Sequence, residues 1–290
     1  MTRMRFVALA LLAALPLSAT PLYYQGFDYG AGVELPWPEW HTNTWPAAIT
    51  SDEGLSWYTY PVQGRAATFR AQTDESWTTN AFAIDLAPGG AGTATFYMSY
   101  IILPQNMNSN GGWGTQPVCV HIYPGELSAA EGYGMGIIQN LVNPSPDRYF
   151  DYYYISFNTR PSTGYPNPNL RAYKAFGPVL NQTNYLMGKW EIEYGTAVDR
   201  IFMHMNVYQD DAQIPSTEPV TWDFEAIGTN GWPTDGRTLD SLRVRRDNII
   251  DSAIIDEIRI SGNYYDATPI PEPALLGAAG LLMLALLRRR

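Results

Sequence analysis

Cysteine is almost missing from this chain. One residue, Cys119, occurs in 290, so no intrachain disulfide can form and no cysteine-based metal site is available. It sits in the apolar run Val118-Cys119-Val120 and reads as a buried thiol. Histidine is nearly as scarce. His41, His121 and His204 lie in separate segments, with no His-Glu-x-x-His pair for zinc and no Gly-x-Ser-x-Gly elbow for a nucleophilic serine. Basic charge is also short, with 18 Lys and Arg against 28 Asp and Glu. Setting aside Arg3, Arg5 and Arg288–Arg290 leaves 13 basic residues, and setting aside Glu272 leaves 27 acidic ones, a balance of about −14 for the body. Nucleic acid and anionic membrane surfaces both require a basic footprint, so neither is an expected partner of the body. Helical periodicity is nearly absent too, the one weak stretch being Leu127–Glu131.

Short alternating runs bounded by Gly, Pro, Asn and Asp fill the body instead. Thr95–Ile102 puts Phe96, Met98, Tyr100 and Ile102 on one face. Tyr152–Asn158 sets Tyr153, Ile155 and Phe157 against Tyr152, Tyr154, Ser156 and Asn158. Trp190, Ile192 and Tyr194 alternate with Glu191 and Glu193, and Ile201, Met203, Met205 and Val207 alternate with Phe202, His204, Asn206 and Tyr208. Further strands are expected at Val118–Tyr123, Gly134–Gln139, Leu170–Phe176, Leu239–Arg245 and Ile254–Ser261, separated by loops such as Asn106–Gly114 and Pro161–Asn169. Many strands with long irregular connections predict an all-β sandwich of two packed antiparallel sheets, in one domain of about 250 residues.

The two ends are apolar and flanked by arginine. Arg3 and Arg5 precede the apolar Phe6–Leu15, and Leu17-Ser18-Ala19 offers a small residue for cleavage, so residues 1–19 read as a signal peptide. At the other end Pro271-Glu272-Pro273 is followed by the uncharged run Ala274–Leu287 and then Arg288, Arg289 and Arg290. The run is 14 residues long, against the roughly 20 that a bilayer span asks for. The arginines favour the cytoplasmic side, which leaves the body outside. This order resembles the tail of bacterial PEP-CTERM proteins, with a sorting signal over 269–290 and a transmembrane helix over 274–287. The resemblance implies export across the inner membrane of a Gram-negative bacterium and an anchored precursor. It also implies an exosortase-type membrane protease as partner, and delivery to the cell surface or extracellular matrix.

Residues 20–268 form the expected sandwich. Ile255-Asp256-Glu257-Ile258-Arg259-Ile260-Ser261 resembles the last strand of concanavalin A-like, laminin-G-type jelly rolls, and Tyr24-Gln25-Gly26-Phe27-Asp28-Tyr29 looks like the matching first strand. The resemblance implies that first and last strands pair, bringing the termini together. Jelly-roll glycosidases place their carboxylates on one strand, in a pattern resembling Glu-x-Asp-x-Glu or Glu-x-Asp-x-x-Glu, and alternate residues share a face, which puts the carboxylates together in the groove. Glu191-Ile192-Glu193 has no third acid, since Gly195 follows on that face. Asp223-Phe224-Glu225 runs into Ala226-Ile227-Gly228, again without a third acid, and Asp256 and Glu257 are adjacent, so they point to opposite faces and cannot act on one bond. The plain alternative for all of these is an exposed acidic strand position.

Carbohydrate binding is the stronger expectation. The chain has 9 Trp, 20 Tyr and 10 Phe, and Trp37, Trp40, Trp45, Trp57, Trp77, Trp113 and Trp232 lie in or near loops. Aromatic faces stack on sugar C–H surfaces. Phe202, His204, Asn206 and Tyr208, with Tyr152, Tyr154 and Glu191 on neighbouring strands, make the expected glycan platform; the alternative is that such aromatics pack under loops. No cofactor is expected, though calcium fits hard-oxygen residues such as Asp28, Asp210 and Asp211. The leading expectation is therefore an exported, non-enzymatic lectin-like sandwich that binds polysaccharide or serves in a matrix. The alternatives are a secreted glycoside hydrolase or polysaccharide lyase on the same fold, and a passive structural protein without a specific ligand.

Overall fold

The computed structural model describes residues 21–29, 35, 40–42, 49–50, 54–55, 57, 64–69, 75–78, 81–86, 92–107, 118–124, 131–139, 150–159, 171–174, 181–194, 199–209, 212–230, 237–246 and 250–269. Strands are numbered β1 to β16 in chain order. The first sheet runs β14 (Phe224–Asn230), β13 (Asp199–Gln209), β12 (Asn184–Tyr194), β7 (Gly92–Met107), β16 (Ile250–Ser261), β4 (Ala67–Phe69) and β3 (Ile49–Thr50), with β1 (Tyr23–Gln25) also on β16. The second runs β11 (Arg171–Lys174), β10 (Phe150–Thr159), β9 (Glu131–Gln139), β8 (Val118–Pro124), β15 (Arg237–Arg246), β5 (Glu75–Thr78) and β2 (His41–Thr42), with β6 (Ile84–Leu86) also on β15. The pairings are antiparallel throughout, so this is an all-β protein of two antiparallel sheets.

The alternating sets meet between the sheets. Phe96, Met98, Tyr100, Trp190, Ile192, Ile201, Met203 and Met205 from the first sheet pack on Val120, Ile122, Tyr133, Met135, Tyr153 and Ile155 from the second. Trp190 stacks on Phe96 with ring centroids 5.2 Å apart, and Tyr133 meets Phe96 edge-on at 5.1 Å. Gly188 sets how closely the sheets approach, because a Cβ there would lie 2.8 Å from the Met135 sulfur and 2.8 Å from the Trp190 ring. Of the tryptophans expected in or near loops, Trp40 and Trp57 are buried. At those positions packing under a loop is what the structure shows.

First and last strands pair as expected, with Tyr23 opposite Ile260, Tyr24 opposite Arg259 and Gln25 opposite Ile258. The alternation of β16 is broken, however. Its register against β7 shifts between Asp256 and Arg259, and Glu257 takes a left-handed φ of 53°. The bulge lets Ile255, Ile258 and Ile260 all reach the core. It also turns both carboxylates to the outer face, correcting the opposite-face expectation, and both are buried rather than exposed. Asp256 accepts the Leu55 and Glu257 N–H groups, each at 2.8 Å. Glu257 accepts the Tyr24 hydroxyl at 2.6 Å and the Arg259 guanidinium at 2.7 Å. Burial pushes the Asp256 carboxyl up to about 8, against the two N–H bonds that favour its charged form.

A second apolar cluster roofs this end of the outer face. Leu55, Trp57, Ile214, Tyr264 and Ala267 cover Tyr97, Ile101, Tyr185 and Met187 of β7 and β12. Among the described residues no helix is long and apolar enough to cross a membrane. The expected signal peptide, the Pro271-Glu272-Pro273 motif, the 274–287 helix and the terminal arginines lie outside the described residues, as does most of Leu127–Glu131.

Candidate functional site

Beyond the roof, the outer face of β7, β12, β13 and β14 is open, and strand register arranges it in rows. One row starts under the roof's edge at Tyr97 and runs out through Lys189, His204 and Glu225; the next is Thr95, Glu191, Phe202 and Ile227; the third is Thr93, Glu193, Arg200 and Thr229. His204 lies between two acids, its Nε2 3.0 Å from Glu191 and its Nδ1 2.9 Å from Glu225. A protonated ring would donate to both. Lys189 donates to Glu218 at 2.7 Å and lies 3.1 Å from Glu191. Burial works against the lysine charge, but the two carboxylates outweigh it and hold its pKa above the ordinary value. Tyr97 donates its hydroxyl to Glu218 at 2.9 Å, and burial together with that bond pushes its pKa up. Acid and base thus alternate from Glu218 through Lys189, Glu191 and His204 to Glu225.

Aromatic and apolar groups border this polar line. Trp222 lies 5.7 Å from the His204 ring. The Arg200 guanidinium sits 4.9 Å over Phe202 while pairing with Glu193 at 3.1 Å. Ile227, the cross-strand neighbour of Phe202, is 60 % exposed and extends the apolar surface beside that ring.

Asn206 and Tyr208 share the face but serve the roof. Pairing of β13 with β14 ends at Met205 and Phe224, which leaves the Val207 N–H beyond the ladder. The Asp223 carboxylate accepts it at 2.8 Å, and Asn206 Oδ1 accepts the Asp223 N–H at 2.6 Å. Asn206 also donates to the Tyr208 hydroxyl at 3.2 Å, and Tyr208 packs against Tyr185. Phe202, His204, Asn206, Tyr208 and Glu191 are therefore brought together. Tyr152 and Tyr154 are not: they lie on β10, in the other sheet, because alternation places a residue on a face but does not assign its strand to a sheet. Lys189, Glu218, Trp222 and Glu225 were not marked by spacing as partners of this site. Glu225 was visible only as one end of Asp223-Phe224-Glu225.

A second polar cluster faces outward from the second sheet. Register aligns Ser156, Gly134, His121 and Arg243 across β10, β9, β8 and β15. His121 Nδ1 lies 2.8 Å from the Tyr123 hydroxyl, and both side chains are buried. Their rings lie over Gly134 and Gly132, where a Cβ would come within 1.7 Å and 2.6 Å of them. Arg243 lies 6.0 Å from the Tyr123 ring centroid. Cys119 is buried on β8. Among the described residues no group of three or more His, Cys, Asp or Glu is placed to hold a metal ion. Asp28 is exposed after β1, and Asp210 and Asp211 lie outside the described residues.

No family model matches this chain, and no curated protein matches it in sequence. Among solved structures, lectin II from Ulex europaeus is 10 % identical, with 83 % of this chain and 99 % of that chain covered and a TM-score of 0.37. Arcelin-5, a lectin-like defense protein from Phaseolus vulgaris, is 8 % identical over 83 % of this chain and 98 % of its own, with a TM-score of 0.38. Domain 4 of AbnA, a GH43 extracellular arabinanase from Geobacillus stearothermophilus, in complex with arabinotriose, is 10 % identical over 86 % and 97 %, with a TM-score of 0.38.

Proposed function

We propose that this chain is an exported, non-enzymatic, lectin-like module on a concanavalin A-like jelly roll, which binds polysaccharide through the open half of its first sheet's outer face. The observation that carries this reading is the pairing of an apolar strip, Phe202 and Ile227, with the row Lys189, His204 and Glu225 and the carboxylate of Glu191. A sugar presents C–H surface to the strip and hydroxyls to the carboxylates, whose remaining oxygen lone pairs accept hydrogen bonds. The imidazole between Glu191 and Glu225 fills the space that the attacking water of an inverting glycosidase would need between its two carboxylates, which supports binding over that mode of hydrolysis. Sorting completes the proposal. The tail delivers the module to the membrane, an exosortase-type protease removes it, and the module works at the cell surface or in the matrix.

One observation favours a second reading. His121, Tyr123 and Arg243 put an acid–base pair beside a cation, the set needed to remove a proton next to a sugar carboxylate, as a polysaccharide lyase does. Both rings are buried, so this reading also requires their cover to move aside. Incubation with a panel of neutral, acidic and amino polysaccharides separates the two. Retention without released oligosaccharide is expected. Release of oligosaccharide with an unsaturated sugar at the new end, lost in a His121→Ala variant that still folds, would establish the lyase, and no retention on any glycan would leave a passive structural protein.

A further inference from the structure

Both nitrogens of one imidazole face a carboxylate on the open half of the first sheet's outer face. His204 Nε2 lies 3.0 Å from Glu191 on β12, and Nδ1 lies 2.9 Å from Glu225 on β14. An ionised carboxylate only accepts, so a ring that serves both acids is an imidazolium with two N–H groups. The neutral ring has one N–H; it satisfies one acid and turns a lone pair on the other. The two acids differ in what else holds them. Glu191 also pairs with Lys189 at 3.1 Å. Glu225 is the more exposed of the two, and among the described residues His204 is its one side-chain partner. The other charges around the ring are already engaged. Lys189, opposite His204 on β12, is held by Glu218 and Glu191, and Tyr97 beyond it donates to Glu218. On β13 itself Arg200 pairs with Glu193, and in the loop before β14 Asp223 accepts the Val207 N–H. Phe202, Asn206 and Trp222 beside the ring carry no charge.

We propose that His204 is a pH-operated clasp on the glycan platform: the imidazolium holds Glu191 and Glu225 as one fixed acceptor pair, and the neutral ring keeps Glu191 and lets Glu225 go, so that polysaccharide is held at acid pH and released as the pH rises. This rests on the polysaccharide-binding reading above. Nε2 keeps the remaining proton, because Glu191 is fixed by Lys189 and is the less exposed acid. Nδ1 then turns a lone pair on Glu225, and the exposed side chain swings into water. A sugar hydroxyl that uses Glu225 has to order that side chain again, which weakens binding about tenfold. Histidine is the side chain that ordinarily makes this change of charge between about pH 5 and pH 8.

The test has two arms, both on the full chain in detergent and both run from about pH 5 to about pH 9. The first needs no glycan. NMR follows the His204 ring, and ¹³C relaxation reads how well the Glu191 and Glu225 side chains are ordered. Glu225 should lose its order at the midpoint of the ring's own titration, while Glu191 keeps its order throughout. A ring that does not titrate in this range, or a Glu225 that stays ordered when it does, would overturn the clasp. The second arm is affinity electrophoresis through galactomannan and hydroxyethylcellulose, neutral probes whose own charge does not change with pH. Retention of the wild type should fall about tenfold across the ring's midpoint. Glu225→Gln should abolish that fall, because its amide donates to the neutral Nδ1 while the Nε2–H stays on Glu191. Asp256 changes charge in the same range, but both proteins carry it, so the difference between them belongs to the clasp. An equal fall in the two proteins would overturn the proposal. Should neither gel retard the chain at any pH, the release of neutral glycan is overturned, and the relaxation arm alone decides whether the ring holds and frees Glu225.

Discussion

The outer face of the first sheet keeps its carboxylates in two opposite conditions. At the β16 bulge Asp256 and Glu257 are buried, and each is engaged by two partners. A few strands away, on β12 and β14, the Glu191 and Glu225 side chains are 37 % and 56 % exposed and share one imidazole. The roof makes the difference: Leu55, Trp57, Tyr264 and Ala267 cover one end of the face and stop before the other. Acids under the roof hold first strand to last and fix the fold. Acids beyond it keep lone pairs open to solvent, which is what a ligand requires.

Substitutions can break this contrast. The largest effect is expected from Glu257→Ala, which strands the Arg259 guanidinium under the roof and should cost about 3–5 kcal/mol in urea unfolding. Acidity comes next. Asp256 has a folded pKa of about 8, raised from an unfolded value near 3.9, so its contribution to stability is whole below about pH 4, declines between there and about pH 8, and is absent above. The urea midpoint should therefore fall from about pH 5 to about pH 9, and Asp256→Asn should remove that part of the fall. Beyond the roof the pattern reverses. Phe202→Ala and Glu191→Gln should each weaken retention on polysaccharide about tenfold while moving stability by less than about 1 kcal/mol. The smallest effect belongs to Arg200→Ala, whose exposed pair with Glu193 should be worth no more than about 0.5 kcal/mol by thermal melting.

Much of the scaffold was legible in the residue order. The inward sets of β7, β12 and β13 follow strict alternation, and all three strands are long enough for the period to be plain. The bulge was not legible, because Ile254–Ser261 still reads as a strand and nothing local marks Glu257 for a left-handed backbone. β14 was missed because its inward residues, Phe224, Ala226 and Gly228, shrink along the strand and leave Ile227 as the larger apolar group outside. Half of the site came from one strand and could be read from it. The other half, Lys189, Glu218, Trp222 and Glu225, depends on cross-strand register and on a loop folding back, which are long-range contacts. The misplacement of Tyr152 and Tyr154 has the same origin.

Affinity electrophoresis through gels containing a polysaccharide selected from the panel tests the central claim most directly. The wild-type chain should be retarded, and the Phe202→Ala, Glu191→Gln double variant should migrate as in a polysaccharide-free gel while melting at the wild-type temperature. Equal retardation of the two proteins would contradict a binding site on the open half of this face.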